Sequence, residues 1–187
     1  VTIIESSTFQ VCSGLTSVTI PNSVTSIKYG AFEGCSSLTS ITIPNSVTSV
    51  GSFAFAWCSS LTSVSIPNSV TEIGSCAFYN CSGITLVNIG NGTSLIYDMA
   101  FANCPELNDV YCNAENVPKM VDYNQKPCTN AFEGSYIEYT TLHVPESSIT
   151  AYETTEPWNS FKKIVKIMPM YTLTYMVDGE IYNSFQD

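Results

Sequence analysis

Residues 31–58, from Ala31 to Cys58, read AFEGCSSLTSITIPNSVTSVGSFAFAWC, and the rest of the chain is organised by repeating that stretch. Cysteines fall at Cys12, Cys35, Cys58, Cys81 and Cys104, each 23 residues after the last. Phe9, Phe32, Phe55, Phe78 and Phe101 keep the same interval, as do Leu15, Leu38, Leu61, Ile84 and Leu107. A fixed period with constant apolar positions predicts a solenoid, in which each unit buries its interior against its neighbours.

Each unit follows A-F-x-x-C-x-x-L-x-x-[IV]-x-I-P-N-S-V-x-x-[IV]-G. Inward Ile41, outward Thr42 and inward Ile43 form the alternation of a half-buried strand. Pro44-Asn45-Ser46 then predicts a turn, and Val47 and Val50 flank a second short extended piece. Gly51 and Gly74 fall at the next corner, where an unrestricted backbone is expected. The pattern then decays. Gly90 replaces the turn proline, Tyr97 replaces the corner glycine, and Cys112 takes a strand isoleucine's place. An insertion of eight residues follows Val117-Pro118, before Ala131-Phe132-Glu133-Gly134-Ser135, where Ser135 stands in the cysteine slot. Leu142-His143-Val144-Pro145 reads as the next strand and turn, one residue out of step. Glu146–Glu156 reads as a short helix ended by Pro157, with Trp158, Phe161 and a last strand at Ile164–Ile167 behind it.

These signals predict an array over 1–112 that starts mid-repeat, and a degenerate repeat with a C-terminal cap over 113–168. Residues 169–187 read as a linker and the start of a further small β domain. There Asp178-Gly179, between two alternating runs, signals a hairpin, truncated where the sequence ends. Val1 aligns with Val24, Val47 and Val70, so the chain is expected to be a piece of something longer, with signal peptide and anchor outside it.

Charge narrows the partners. The net charge is −10 and there is no arginine, which argues against nucleic acid, whose phosphates need a basic face. Charged residues make up 12% of the chain, about half the usual share, so Ser and Thr must cover the surface. No apolar run approaches the ~20 residues of a membrane span.

The repeated motif resembles the BspA-like branch of the leucine-rich repeats, known from surface and secreted proteins of gut and oral bacteria and of some protists. The match is close from Val1 to about Val110 and looser through Ile167. The text NAFEGSYIEYTTLHVPESSITAYETTEPWNSF also resembles the closing segment of such arrays, and YTLTYMVDGEIY the opening of the β modules that often follow. The resemblance implies a mainly β, right-handed leucine-rich-repeat solenoid of about five to six coils, capped by a segment with one short helix. It further implies export, surface attachment and adhesion to host proteins.

Outward residues of the main sheet are the expected contact surface, on the face that curved solenoids use for recognition. They are Ser17, Thr19, Ser40, Thr42, Ser63, Ser65, Leu86, Asn88, Asp109 and Tyr111. The varied end, from Leu86 to Tyr111, is the stronger candidate because aromatic side chains concentrate binding energy. An extracellular protein, host matrix included, is the expected partner. A structural spacer and a glycan-binding surface component are the alternatives, the latter hinted at by Tyr111 beside Asn88. The cysteine ladder reads as structural. Stacked side chains run parallel, whereas a disulfide needs converging Cβ atoms, and no CxxC pair suggests zinc. A bridge between Cys112 and Cys128 remains open at this point. His143 is the only histidine, and without a Ser/His/Asp constellation general acid–base chemistry has only scattered carboxylates to build on. No catalytic residue, metal ligand or cofactor is expected.

Overall fold

The computed structural model describes residues 1–168 and the backbone of two further strands, Leu173–Val177 and Glu180–Ser184. The chain winds into a β-solenoid of about seven turns, with two parallel sheets and a third side of stacked turns. The six-stranded sheet consists of β1 (Ile3–Ile4), β2 (Ser26–Ile27), β3 (Ser49–Val50), β5 (Glu72–Ile73), β7 (Leu95–Tyr97) and β9 (Lys119–Val121), in that order. The five-stranded sheet runs β4 (Ser63–Ile66), β6 (Leu86–Ile89), β8 (Asp109–Cys112), β10 (Thr141–Val144) and β11 (Lys163–Lys166). Isolated parallel bridges Thr19–Thr42 and Thr42–Ser65 carry it back to the first coils. The turn count exceeds the expected five to six because β11, read as part of a cap, pairs in parallel with β10 and makes another rung.

Register is held by bonds between equivalent residues. Thr25, Thr48 and Thr71 each donate a side-chain hydroxyl to the carbonyl 23 residues earlier. In the turns, Val47 N–H donates to Pro44 O at 3.0 Å, while Ser46 and Ser69 reach back to the previous coil's valine carbonyl at 2.6 Å. Gly51 and Gly74 are required for a reason other than the one expected. Neither has positive φ. Instead, a Cβ on Gly51 would lie 2.7 Å from the Lys28 carbonyl carbon, and one on Gly74 would lie 2.5 Å from Ser52 N.

The third side departs from both helix and strand. Two residues per coil sit in the left-handed region, at Ser7 and Val11, Gly30 and Gly34, Phe53 and Trp57, Cys76 and Asn80, and Met99 and Asn103. Glycine takes that conformation freely, whereas a β-branched or bulky residue there is uncommon and costs on the order of 1 kcal/mol. Between these points the backbone still ladders, for example Phe55 N to Ala77 O at 2.8 Å.

The interior is columnar. Phe9, Phe32, Phe55, Phe78, Phe101 and Phe132 stack face to face at 5.0 to 5.3 Å. The column stops where Trp158 and Phe161 meet Phe132 edge-on, at 5.9 and 5.3 Å. Tyr152 packs edge-on against Trp158 and donates its hydroxyl to Ala114 O at 2.8 Å, while the Trp158 indole donates to Pro118 O at 3.1 Å. Tyr152 comes from α1 (Ile149–Thr154), preceded by one 3-10 turn at Glu146–Ser148. This helix is shorter than the expected Glu146–Glu156. Thr154 and Thr155 turn their hydroxyls back onto the Thr150 and Ala151 carbonyls, a pattern that weakens helix ends.

Beyond the solenoid, β12 (Leu173–Val177) and β13 (Glu180–Ser184) pair antiparallel, with Val177 opposite Glu180. Pro169-Met170 of the expected linker and the Asp178-Gly179 turn lie outside the described residues.

Candidate binding site

Parallel pairing lines up the outward residues of the five-stranded sheet in two columns. One runs Thr19, Thr42, Ser65, Asn88, Tyr111, and the other joins Ser63, Leu86 and Asp109, with Ser17 and Ser40 at the equivalent earlier positions. Ser17, Thr19, Ser40, Thr42, Ser63 and Ser65 are exposed, and Leu86 is 36% exposed. Asn88, Asp109 and Tyr111 are half-buried.

β10 extends both columns with residues that repeat counting misses. Thr141 pairs with Asp109, and His143 pairs with Tyr111. The His143 and Tyr111 rings stack in parallel, 4.0 Å between centroids and 4° between planes. His143 Nε2 lies 2.8 Å from an Asp109 carboxylate oxygen. On the other side, Asn113 donates its side-chain amide to Asn88 Oδ1 at 2.7 Å and to Ile89 O at 2.9 Å. Asn88, Asp109, Tyr111 and His143 are therefore each held by a neighbour. The only hint of His143 in the sequence is the strand-like Leu142–Pro145 that surrounds it.

Ring orientation matters for what this face can bind. Strands lie ~4.8 Å apart, so rings stacked along the sheet turn their faces toward each other and their edges outward. Tyr111 thus offers an edge and a hydroxyl, not the open aromatic platform that a sugar ring would cover.

The cysteine ladder is built from hydrogen-bonded thiols. Cys35, Cys58, Cys81 and Cys104 point their Sγ at the Phe9, Phe32, Phe55 and Phe78 carbonyls at 3.0 to 3.4 Å. Ser135 makes the same contact to Phe101 O at 2.6 Å and accepts Cys104 N–H at 2.9 Å. The slot selects a small donor, Cys or Ser. Burial pushes the Cys58 and Cys104 thiols up to about 12 and the Cys112 thiol to about 11. Cys12, in the first coil, is exposed. Cys112 and Cys128 are both free thiols rather than a bridge, and Cys112 instead lies 3.2 Å from the Tyr152 hydroxyl.

Among the described residues, no three His, Cys, Asp or Glu side chains converge as a metal site, and no helix is long and apolar enough to cross a membrane.

Comparison with known proteins gives a family and a fold. A leucine-rich repeat protein of T. pallidum superposes with a TM-score of 0.67 at 28% identity, covering 77% of this chain and 62% of its own. A leucine-rich repeat protein from Bacteroides ovatus is 17% identical with a TM-score of 0.47, over 89% of this chain and 58% of that one. A leucine-rich cell surface protein from Faecalibacterium prausnitzii is 22% identical with a TM-score of 0.48, over 90% and 58%. This chain thus spans less than two thirds of the length of each. No curated protein matches it significantly. Leucine-rich repeat proteins are generally protein-interaction modules and generally non-enzymatic, and those of BspA type are typically surface proteins. With six copies of the BspA-type leucine-rich repeat region matched across residues 2–138, this chain belongs to that family.

Proposed function

We propose that this protein is a non-catalytic extracellular recognition module that binds another protein, host matrix proteins included, through the outward face of its five-stranded sheet. The observation that carries the reading is the change of chemistry along that face. Its early rungs offer only serine and threonine hydroxyls. Its later rungs offer Leu86, Asn88, Asp109, Tyr111 and His143, fixed by the Tyr111–His143 stack and the Asp109–His143 contact. Side chains already held in place lose little freedom when a partner docks, so more of the contact energy appears as affinity. A location at or outside the cell surface follows from what is typical of the family. The net charge of −10 speaks against nucleic acid as the partner. In this reading 1–112 is the array, 113–168 its closing segment, and 169–187 leads into a further β module.

The test is binding of the folded chain to a panel of extracellular-matrix proteins, beside a variant carrying Asn88→Ala and Tyr111→Ala. Saturable binding that the variant loses supports recognition by this face. A spacer is the second reading, favoured by the uniform hydroxyl columns of the early rungs. Failure of the folded chain to bind any panel member would put it ahead.

A further inference from the structure

The six-stranded sheet carries a groove of about 380 Å³ on the other side of the solenoid. Its floor is Gly51 and Gly74, where close stacking of the coils excludes any side chain. One wall is Tyr29, 51% exposed. The opposite wall is Tyr97 together with the inserted loop, whose Gln125 donates its side-chain amide to the Tyr97 hydroxyl at 2.8 Å. The loop also places Tyr123 at the groove, 80% exposed. Asp122 folds the loop back by accepting the Asn124 and Lys126 N–H groups at 2.8 and 2.9 Å. Between the walls lie the Ser26 and Ser49 hydroxyls, the Glu72 carboxylate, and Ser75, which donates to Asp98 at 2.6 Å. Lys28 and Tyr97 are three rungs apart by register, which is about 14 Å, the length of a short oligosaccharide.

Tyr29 also opens onto a second aromatic surface. Its ring lies 5.5 Å from Phe53, which lies 6.1 Å from the 37%-exposed Trp57. Phe53 and Trp57 both have φ of 58°, where the preceding coil uses Gly30 and Gly34. The neighbouring coils hold Gly30, Gly34, Cys76 and Asn80 in the same conformation, so what sets this coil apart is its pair of aromatic rings. They put aromatic area beside the groove where glycine would leave none.

We propose that this groove, with the Tyr29–Phe53–Trp57 surface at its mouth, binds a neutral oligosaccharide. Tyrosine faces cover the C–H faces of sugar rings, while the serine hydroxyls, Glu72 and Gln125 meet the sugar hydroxyls. A peptide strand is the poorer occupant because the floor's N–H groups are already bonded, Gly51 to Ile27 O and Gly74 to Val50 O, and the groove opens no sheet edge. Acidic sugars are disfavoured because the lining carries the Glu72 carboxylate, with Asp98 bonded to the lining Ser75, against a single cation, Lys28.

The test titrates the full chain with hexasaccharides of β-1,3-glucan, β-1,4-glucan, β-1,4-xylan and α-1,6-mannan, read by calorimetry and tryptophan fluorescence. At least one should bind saturably. Tyr29→Ala with Tyr123→Ala, both exposed positions, should weaken it by at least about tenfold at an unchanged melting temperature. Asn88→Ala with Tyr111→Ala should leave it intact, which separates this site from the protein-binding face. The proposal is overturned by no binding up to about 1 mM, by binding that survives the tyrosine substitutions, or by binding lost only in the Asn88 and Tyr111 variant.

Discussion

The first and last coils leave their apolar side chains in opposite states. At the start, Val1 and Ile3 are 89% and 36% exposed, Phe9 and Val18 are only partly covered, and an apolar hollow of about 440 Å³ opens among them. At the far end, Trp158 and Tyr152 are wholly buried. The difference teaches that a coil does not bury its own interior. Coverage comes from the next coil or from an element shaped to stand in for one. Edge-on rings suit that second role, since they occupy the face of Phe132 without presenting another parallel face in the same column.

The strongest way to break this comparison is to remove the closing ring. Trp158→Ala should cost about 3–5 kcal/mol, with a matching fall in the urea midpoint, while Phe9→Ala should cost nearer 1 kcal/mol. Equal costs would mean that the two ends are energetically alike. Alkaline pH sharpens the contrast next. An unfolded thiol ionises near 8.5, whereas Cys58 and Cys104 hold their protons to about 12. Their contribution is complete below the unfolded value and is lost as pH climbs from there toward 12. Melting temperature should therefore fall steadily over that window, and Cys58→Ser should flatten the slope. In the native state, iodoacetamide should label Cys12 well before Cys58 or Cys81. Tyr152→Phe, which deletes the hydroxyl bonded to Ala114 and Cys112, should cost about 1–2 kcal/mol in chemical denaturation. The smallest effect belongs to the outward face. Tyr111→Ala should change stability by about 1 kcal/mol or less, in the same preparation that tests ligand binding.

The array was legible because its inward residues face the same demand in every coil. Phe32, Cys35 and Leu38 recur at one spacing since the neighbouring coil supplies one environment. The pairing of His143 with Tyr111 was not legible. The insertion and a one-residue shift separate them by 32 positions instead of 23, so counting by repeats passes over the contact. The groove was hidden for a related reason, since its far wall joins Tyr97, read only as a lost glycine, to Tyr123 and Gln125 in the insertion. Nor does sequence announce that Phe53 and Trp57 take left-handed backbone, because the coil before them fills those places with glycine. The regular parts of the chain advertise themselves, and the parts that differ acquire meaning only beside their spatial neighbours.

The register of the threonine ladder has a consequence for inheritance. Thr25, Thr48 and Thr71 each bond the residue one period earlier, so removing one whole period from the middle would hand every survivor a chemically equivalent partner. Recombination between misaligned copies of such a gene would lengthen or shorten the protein by whole coils without creating a junction that the fold has not already met.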